Sequence, residues 1–309
     1  MKNILNYYYS LHPDIISKKD DNYSFEYMNS NYVLTPFNRP LADVDCLYKI
    51  NRIMLSRGLL VHEIILNNDK KILTYVNNVA YILMEIYINP DLQINLSEIC
   101  HINNNSINIE CDKILSRYDW TTLWETKNDY FEEQISEIGK KYPSLCDSLS
   151  YYIGLAENAI TYVRNTMLVK SMDVYSACHK RIKYTDTLFE LYNPINFVLD
   201  YRIRDVSEYV KSCFFNKKNA YMVVEEYFQN NYISYKEALL FYGRLLYPSY
   251  FFDLYDEIVN NNLSMENINK VIDMSLEYEM FLLNVYLFLV SMYSQYIPPI
   301  DWIIKRSYI

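Results

Sequence analysis

Glycine is scarce in this chain, and its absence from one segment excludes a class of site. The 309 residues include only four glycines, and none of them lies between Ser17 and Tyr32. Neither G-x-G-x-x-G nor G-K-[ST] occurs anywhere in the sequence. A glycine-rich loop is what lets backbone N–H groups approach phosphates closely. The sequence therefore excludes a standard nucleotide-binding loop.

The histidines and cysteines are also few and scattered along the chain, which argues against a zinc site. The chain has four histidines and six cysteines, and no two cysteines form C-x-x-C. Cys100 and His101 are adjacent, so on a helix their side chains would point apart. G-x-S-x-G is missing as well, which excludes a serine elbow. We therefore expect no metal and no cofactor. Residues 1–7 lack the apolar region of a signal peptide, so we also expect a cytoplasmic protein whose thiols are free.

Positive charge is sparse, which argues against nucleic acid as a partner. The net charge is −9, and the densest basic groups are Lys217-Lys218, Lys305-Arg306 and His179-Lys180-Arg181. Binding to nucleic acid needs clustered lysine and arginine along a groove or a face. Runs of two or three basic residues are too short to provide one.

One long stretch lacks charge altogether and has the length of a membrane-spanning helix. No charged residue lies between Met280 and Ile300, whereas a span needs about 20 apolar residues. Asn284 and other polar side chains interrupt the stretch, and Pro298-Pro299 end it. We therefore predict a C-terminal helix from about Asn267 to Tyr296 that packs inside the protein, with no membrane insertion.

Hydrophobic and aromatic residues, by contrast, are abundant. Hydrophobic residues make up 51% of the chain and charged residues 22%, a composition that excludes a disordered protein. The 34 tyrosines make the chain tyrosine-rich. An AT-rich coding sequence would produce this bias, and so would a surface made for assembly, because tyrosine is favoured at interfaces. We interpret the bias chiefly as a coding effect.

The first third of the chain is predicted to form strands and one helix. Short aromatic and β-branched runs predict five strands: Tyr23–Tyr27, Tyr32–Phe37, Val61–Leu66, Ile72–Val76 and Val79–Tyr87. A turn is expected at Asn29–Asn31 and another at Asn77-Asn78. Between the second and third strands, apolar residues at helical spacing begin near Pro40, and Gly58 supplies the stop.

The rest of the chain shows helical periodicity, except for Asp173–Leu199, where no period is sustained. Apolar stripes with helical spacing are centred on residues 120–138, 152–163, 206–214 and 251–259. The punctuation at Asn89-Pro90 marks the change of period. The sequence thus predicts an α+β protein with a β-rich N-terminal domain, residues 1–89, and a helical C-terminal domain, residues 90–309.

Several runs of residues resemble one family. They are Tyr118–Glu125, Asp129–Glu132, Gly139–Pro143, Gly154–Ala159 and Phe197–Val206. They are similar to the spore-coat-associated proteins of spore-forming bacteria within the aminoglycoside phosphotransferase-like superfamily. The resemblance covers nearly the whole chain. It implies a protein-kinase-like fold with a small β-rich N-lobe and a large helical C-lobe.

The resemblance also indicates where catalytic groups should lie, and two of them are missing. Active members of the superfamily carry a His-Gly-Asp loop, and the matching residues are Cys178–Arg181. His179 matches the loop histidine, but Arg181 stands where the catalytic aspartate should be. A guanidinium has no acceptor and cannot receive a substrate proton. The strand Tyr32–Phe37, which should carry the lysine that pairs with nucleotide, contains no lysine.

The metal-binding aspartate of the superfamily has two candidate positions here, Asn196 and Asp200. Asp200 is a weak candidate for holding Mg²⁺, and the alternative is a structural ion pair with Arg202 or Arg204.

Asp205 has a structural interpretation instead. It precedes the helical run that begins at Val206, and Glu208 follows three residues later. This spacing predicts that Asp205 is the N-cap of a helix with a capping-box partner.

Taken together, these losses indicate a catalytically inactive, kinase-like protein with a binding or structural role. The expected partners are other proteins, which the resemblance extends to spore-coat components. The expected location is the cytoplasm, or the spore coat if the family role holds. Two alternatives stay open: an active small-molecule phosphotransferase with atypical motifs, using His179 and Asp200, and a peptide- or protein-binding scaffold that uses the cleft between the lobes.

Overall fold

The structure is a computed structural model, and it describes residues 1–111, 113–138, 143–261 and 264–305. The chain forms two compact units that interleave along the sequence. The first unit contains residues 1–116, 175–181 and 185–202, and the second contains residues 117–174, 182–184 and 203–309. The predicted division into residues 1–89 and 90–309 stays a prediction.

The elements alternate between strands and helices early and are mainly helical later. The strands are β1 Ser17–Lys19, β2 Asn22–Tyr27, β3 Ser30–Pro36, β4 Glu63–Ile65, β5 Thr74–Val76, β6 Val79–Ile86, β7 Tyr175–His179 and β8 Phe197–Tyr201. The helices are α1 Lys2–Tyr9, α2 Val44–Ser56, α3 Leu96–Asn105, α4 Trp120–Ile138, α5 Pro143–Met167, α6 Leu188–Leu191, α7 Arg204–Phe215, α8 Ala220–Asn230, α9 Tyr235–Leu246, α10 Ser249–Asn261, α11 Glu266–Asp273, α12 Ser275–Met292 and α13 Asp301–Lys305. The predicted combination of a β-rich start and a helical remainder is confirmed.

An antiparallel sheet forms the centre of the first unit. Its strand order is β1-β2-β3-β6-β4, and β5 pairs with β6. The predicted turns exist, but the β2–β3 turn uses Met28 and Asn29, both with positive φ, one residue earlier than expected. The β5–β6 turn lies at Asn77 and Asn78 as predicted, with φ values of 49° and 66°. Asparagine tolerates this left-handed conformation better than most residues.

The sequence did not predict α1 or β1. Leu5 and Tyr9, one helical turn apart on α1, pack with Phe25, Leu34 and Leu83 on one face of the sheet. The run of tyrosines at residues 7–9 hides this short amphipathic pattern. β1 is three residues long and exposed throughout, so it shows no alternation between apolar and polar positions.

The predicted helix after the second hairpin strand is confirmed as α2. A 3₁₀ turn at Leu41–Asp43 precedes it, and Gly58, with φ at 82°, follows its end. The N–H of Leu59 donates to the carbonyl of Met54 at 3.1 Å, which closes the last turn. Glycine is suited to this position because it adopts positive φ without steric cost.

The segment Asp173–Leu199, predicted to be irregular, instead contains β7 and the first part of β8, which pair antiparallel. Most residues of both strands are buried, so neither alternates between apolar and polar positions. Such strands carry no period for sequence analysis to detect.

The predicted C-terminal helix is divided into α11 and α12 at Met274. One side of α12 is buried, including Phe281 and Leu289, whereas Leu276 and Leu287 are exposed. Ser275–Met292 is long and apolar enough to cross a membrane, with mean hydropathy 1.2 and 39% of the segment buried in the protein. The expected absence of membrane insertion stays a prediction.

The expectation of free thiols is wrong for one pair, because Cys46 and Cys111 form a disulfide. Their Cα atoms lie 6.1 Å apart although 65 residues separate them. That proximity comes from the fold, and spacing along the chain could not reveal it. Cys100, Cys146, Cys178 and Cys213 are reduced.

Candidate functional site

The β7–β8 hairpin carries two of the predicted site residues, His179 and Asp200. In its register, His179 pairs with Phe197 and Ser176 pairs with Asp200. Paired residues of an antiparallel ladder share a face, and successive residues alternate between faces. His179 therefore lies on one face of the hairpin and Asp200 on the other. They are also three residue positions apart, or about 10 Å along the strand.

His179 is a buried, structural histidine. Its side chain is 2% exposed, and its Nε2 lies 2.7 Å from the carbonyl oxygen of Leu191. A carbonyl oxygen only accepts, so Nε2 must carry the proton and donate it. The ring also contacts Phe197 edge-on, with centroids 5.2 Å apart. The Nε2 of His179 is therefore occupied by a hydrogen bond to the backbone of the first unit.

Asp200 is fully buried near the other end of the hairpin. Its Oδ1 accepts from the backbone N–H of Tyr201 at 2.7 Å. Ser176 and Cys178 lie on the same face, and Cys178 Sγ is 3.4 Å from the carbonyl oxygen of Tyr201. In the described part of the chain, no group of three or more His, Cys, Asp or Glu residues could hold a metal ion.

Arg181 and Asn196 flank the loop between β7 and β8. Arg181 is exposed, and its Nη1 donates to the carbonyl of Lys180 at 2.9 Å. The backbone N–H of Lys180 donates to the carbonyl of Asn196 at 2.9 Å. Asn196 in turn donates through Nδ2 to the carbonyl of Glu190 at 3.1 Å. Asn196 thus stabilises the loop through its backbone and side-chain hydrogen bonds, and Arg181 lies on the exposed surface of the loop.

The predicted capping role of Asp205 is wrong. Helix α7 begins at Arg204 with Ile203 as its N-cap, so Asp205 lies inside the first turn. Glu208, the proposed capping-box partner, instead accepts from Lys211, Arg244 and Ser249. Lys211 lies on the same helix, whereas Arg244 and Ser249 come from later helices, which the local spacing could not reveal. Arg204 is 5% exposed, in keeping with a structural position.

A cavity of about 600 Å³ lies within the first unit. One wall is the sheet face opposite α1, where the register places Ser24, Glu26 and Asn31 together. The other wall contains Pro90, Asp91 and the segment that carries Thr187, Phe189 and Glu190. The β1–β2 turn, where a glycine-rich loop would lie, contributes Asp20.

The cavity is acidic. Its charged lining residues are Asp20, Glu26, Asp91 and Glu190 against Lys19, so four carboxylates and one ammonium give a net charge of −3. The sequence contained one signal for this cavity. A turn rich in aspartate, Asp20-Asp21, stands where glycines would be needed for phosphate binding.

His62 fixes one wall of the cavity, and sequence analysis missed it. The residue is fully buried, its Nε2 lies 3.1 Å from the carbonyl oxygen of Phe189, and the two rings are 5.2 Å apart. Burial lowers the pKa of His62 to about 4, because the charged imidazolium would lose its hydration. A neutral histidine therefore positions Phe189.

Arg39 fixes the start of β8, and it was also missed. Its Nη1 donates to the carbonyls of Ile195 at 2.7 Å and Phe197 at 2.8 Å. Asp43, four residues later, pairs with its Nε at 2.8 Å. No motif marks an arginine that binds backbone 156 residues away.

Comparison with known proteins shows which family this chain is similar to. The family model described as "Spore coat putative kinase YutH" matches residues 2–285. The endospore coat-associated protein YutH of Bacillus subtilis (strain 168) is 26% identical over 213 residues, which span 61% of this chain and 62% of that protein.

Solved structures share the fold at low sequence identity. An aminoglycoside phosphotransferase from Alicyclobacillus acidocaldarius is 9% identical with a TM-score of 0.62, over 94% of this chain and 96% of that one. Spectinomycin phosphotransferase APH(9)-Ia, in an AMP-bound complex, is 10% identical with a TM-score of 0.58, over 89% and 93%. The amicoumacin kinase hAmiN is 13% identical with a TM-score of 0.55, over 88% and 90%. These likenesses confirm the predicted kinase-like fold and, at such identities, nothing beyond it.

Proposed function

The chain belongs to the YutH family of kinase-like spore coat proteins, and on that premise we propose that it is catalytically inactive and acts by binding other proteins, coat components among them. The observation that carries this proposal is the β7–β8 register. It places His179 and Asp200 on opposite faces, so one substrate cannot meet both.

The residue at the place of the catalytic base supports the same conclusion. Phosphoryl transfer needs a carboxylate that orients the substrate hydroxyl and accepts its proton. Arg181 stands at this place and is exposed. Its guanidinium has five donors and no acceptor, so it cannot perform that step.

The electrostatics of the cavity also disfavour a nucleotide. Phosphates are bound by backbone N–H groups, lysine and metal-held carboxylates acting together. The cavity beneath β1–β3 has a net charge of −3 and places Asp20 at the turn. Negative charge there would repel the polyphosphate, and β3 supplies no lysine to offset it.

Thermal unfolding of the full chain with and without millimolar Mg-ATP tests the proposal. A ligand at 100 times its Kd stabilises a protein by about 2.7 kcal/mol. We expect no upward shift in Tm and no ADP release with aminoglycoside or amino-alcohol substrates. A magnesium-dependent shift that Asp200→Asn removes, accompanied by ADP release with such a substrate, would instead establish the phosphotransferase alternative.

The location is tested separately. We propose spore coat association for this chain, as the family and its Bacillus relative are described. Antibody detection in isolated coat fractions should find the protein there. Recovery only from the soluble cytoplasm of sporulating cells would contradict the coat assignment.

A further inference from the structure

We propose that the acidic cavity of the first unit binds a protein partner through lysine or arginine side chains. The inference rests on the proposed function, because it assigns a ligand class to a cavity that a nucleotide would otherwise occupy. The surface is the cavity defined above, between the face of β1–β3 and the segment Thr187–Glu190.

The volume fits more than one basic side chain. At about 600 Å³, the cavity lies within the roughly 300–1,000 Å³ typical of ligand sites. One sheet face builds this wall, whereas the opposite face packs against α1 through Phe25 and Leu34. On the cavity face the register collects the polar side chains Ser24, Glu26 and Asn31.

Those polar side chains are mostly acceptors for N–H donors. Carboxylates of Glu26, Asp91 and Asp20 accept only, and Asn31 and Ser24 offer further oxygens. Within the described residues, Asp20, Glu26 and Asp91 form no ion pair. Their charge is therefore available to a ligand, with a preference for ammonium and guanidinium groups.

The spread of the carboxylates favours an extended organic cation over a metal ion. The four acids come from the β1–β2 turn, β2, the residue after Pro90 and α6. No described group of three such residues is close enough to hold a metal. A chain that presents several cationic side chains can reach carboxylates so arranged, whereas a compact ion cannot.

Phe189 adds a face for a cationic head group. It is half-buried on the wall opposite Glu26, where His62 holds it. A cation over an aromatic face gains attraction from the ring quadrupole, and arginine does so most often. Phe189 and the carboxylates together suit a basic peptide segment.

The experiment measures binding of a labelled nine-residue peptide of alternating lysine and glycine to the full chain by fluorescence anisotropy at low salt. We expect saturable binding that weakens as salt rises. A glutamate–glycine peptide of equal length should not bind. The double variant Glu26→Gln/Asp91→Asn should weaken binding by about tenfold, as follows if each lost charge weakens it about threefold.

The control variant is Glu110→Gln/Glu226→Gln, which removes the same number of exposed charges from residues that do not line the cavity. It should bind the lysine peptide as the native chain does. Equal losses in the two double variants would show a net-charge effect and overturn the inference. Spermidine and unlabelled lysine peptide are then compared as competitors of the labelled peptide. If spermidine displaces it at the lower concentration, the assignment to a protein partner is overturned.

Competition by nucleotide separates this inference from the proposed function. If the lysine peptide fails to bind and Mg-ATP has no effect on Tm, only the cavity assignment fails. If Mg-ATP displaces the bound peptide, the cavity is a nucleotide site and the proposed function fails as well. We expect binding that Mg-ATP does not displace.

Discussion

One group of charged residues in each unit differs from the other in burial and in pairing, although the first unit also contains the buried pair Arg39–Asp43. In the second unit, Glu208 accepts from Lys211 at 2.8 Å and from Arg244 at 2.6 Å, and all three are buried. The Arg244 guanidinium also lies 4.8 Å from the Trp120 ring. In the first unit, Glu26 and Asp91 are exposed at a cavity and form no ion pair among the described residues. Buried, paired charges determine packing, whereas exposed charges without ion pairs stay available for a ligand.

The largest effect should follow from breaking the buried network. Glu208→Gln would remove the carboxylate that pairs with Lys211, whose side chain is 2% exposed, and with Arg244. Removing one partner of a buried ion pair typically costs about 3–5 kcal/mol, because the remaining charge is desolvated and uncompensated. We expect a loss of that size in the free energy of unfolding, measured by urea titration.

Ser249→Ala is the matched comparison, because it removes a neutral partner of the same carboxylate. Ser249 Oγ donates to Glu208 Oε2 at 2.8 Å and accepts from Lys211 Nζ at 2.7 Å, and losing these two bonds while both charges remain should cost about 2–3 kcal/mol. If Glu208→Gln destabilised the protein no more than Ser249→Ala, the network would not determine packing in this unit.

This network shows what the sequence could not predict. Glu208 was assigned to a local cap because sequence analysis sees only neighbours along the chain, and its partners lie up to 41 residues away. Elements defined by local chemistry were predicted well. The stop at Gly58 and the turn at Asn77-Asn78 depend on single-residue backbone preferences. Strands buried on both faces, such as β8, carried no such signal.

The sequence revealed which catalytic residues are missing from the candidate site, but it did not reveal the cavity. The missing glycines, the missing strand lysine and Arg181 are visible in the sequence, since each depends on one residue type at one place. The cavity depends on a register that collects Ser24, Glu26 and Asn31 on one sheet face. Its second wall, Thr187–Glu190, comes from about 160 residues later in the chain and joins through tertiary contacts alone.

The next largest effect is a pH dependence in the first unit, centred on His62. Its pKa is lowered from 6.5 to about 4 in the folded chain. Between these values the unfolded chain binds more protons, so stability falls as the pH falls from about 6.5 to 4. This lowered pKa corresponds to at most about 3 kcal/mol of folding stability. That stability is fully present above the unfolded pKa and is lost as the pH falls through the folded pKa of about 4.

Urea titrations at pH 7 and pH 5 check this prediction. His62→Gln keeps an N–H donor for the Phe189 carbonyl and should reduce the loss of stability between the two pH values. His101→Gln, at an exposed histidine, should leave the loss unchanged. An unaltered pH dependence in the His62 variant would show that burial does not hold this imidazole neutral.

A smaller effect is expected on the rim of the cavity, at the start of α6. Glu190 Oε2 accepts from the backbone N–H of Thr187 at 2.8 Å and from its hydroxyl at 2.5 Å. Thr187→Ala removes the hydroxyl and should cost about 1 kcal/mol, the usual value for such a cap. Thr187→Ser should recover most of it in urea unfolding. Equal destabilisation by serine would mean that the threonine methyl, and not the hydrogen bond, matters.

The smallest effect should come from neutralising the cavity itself, which tests the comparison most directly. Glu26 and Asp91 are exposed and form no ion pair among the described residues, so Glu26→Gln/Asp91→Asn breaks no described ion pair. Exposed substitutions of this kind usually change stability by no more than about 0.5 kcal/mol. Because the lining has a net charge of −3, relief of repulsion should make any change slightly stabilising. A clear loss in urea unfolding would show that these carboxylates support the fold, as Glu208 does, and the contrast between the two units would fail.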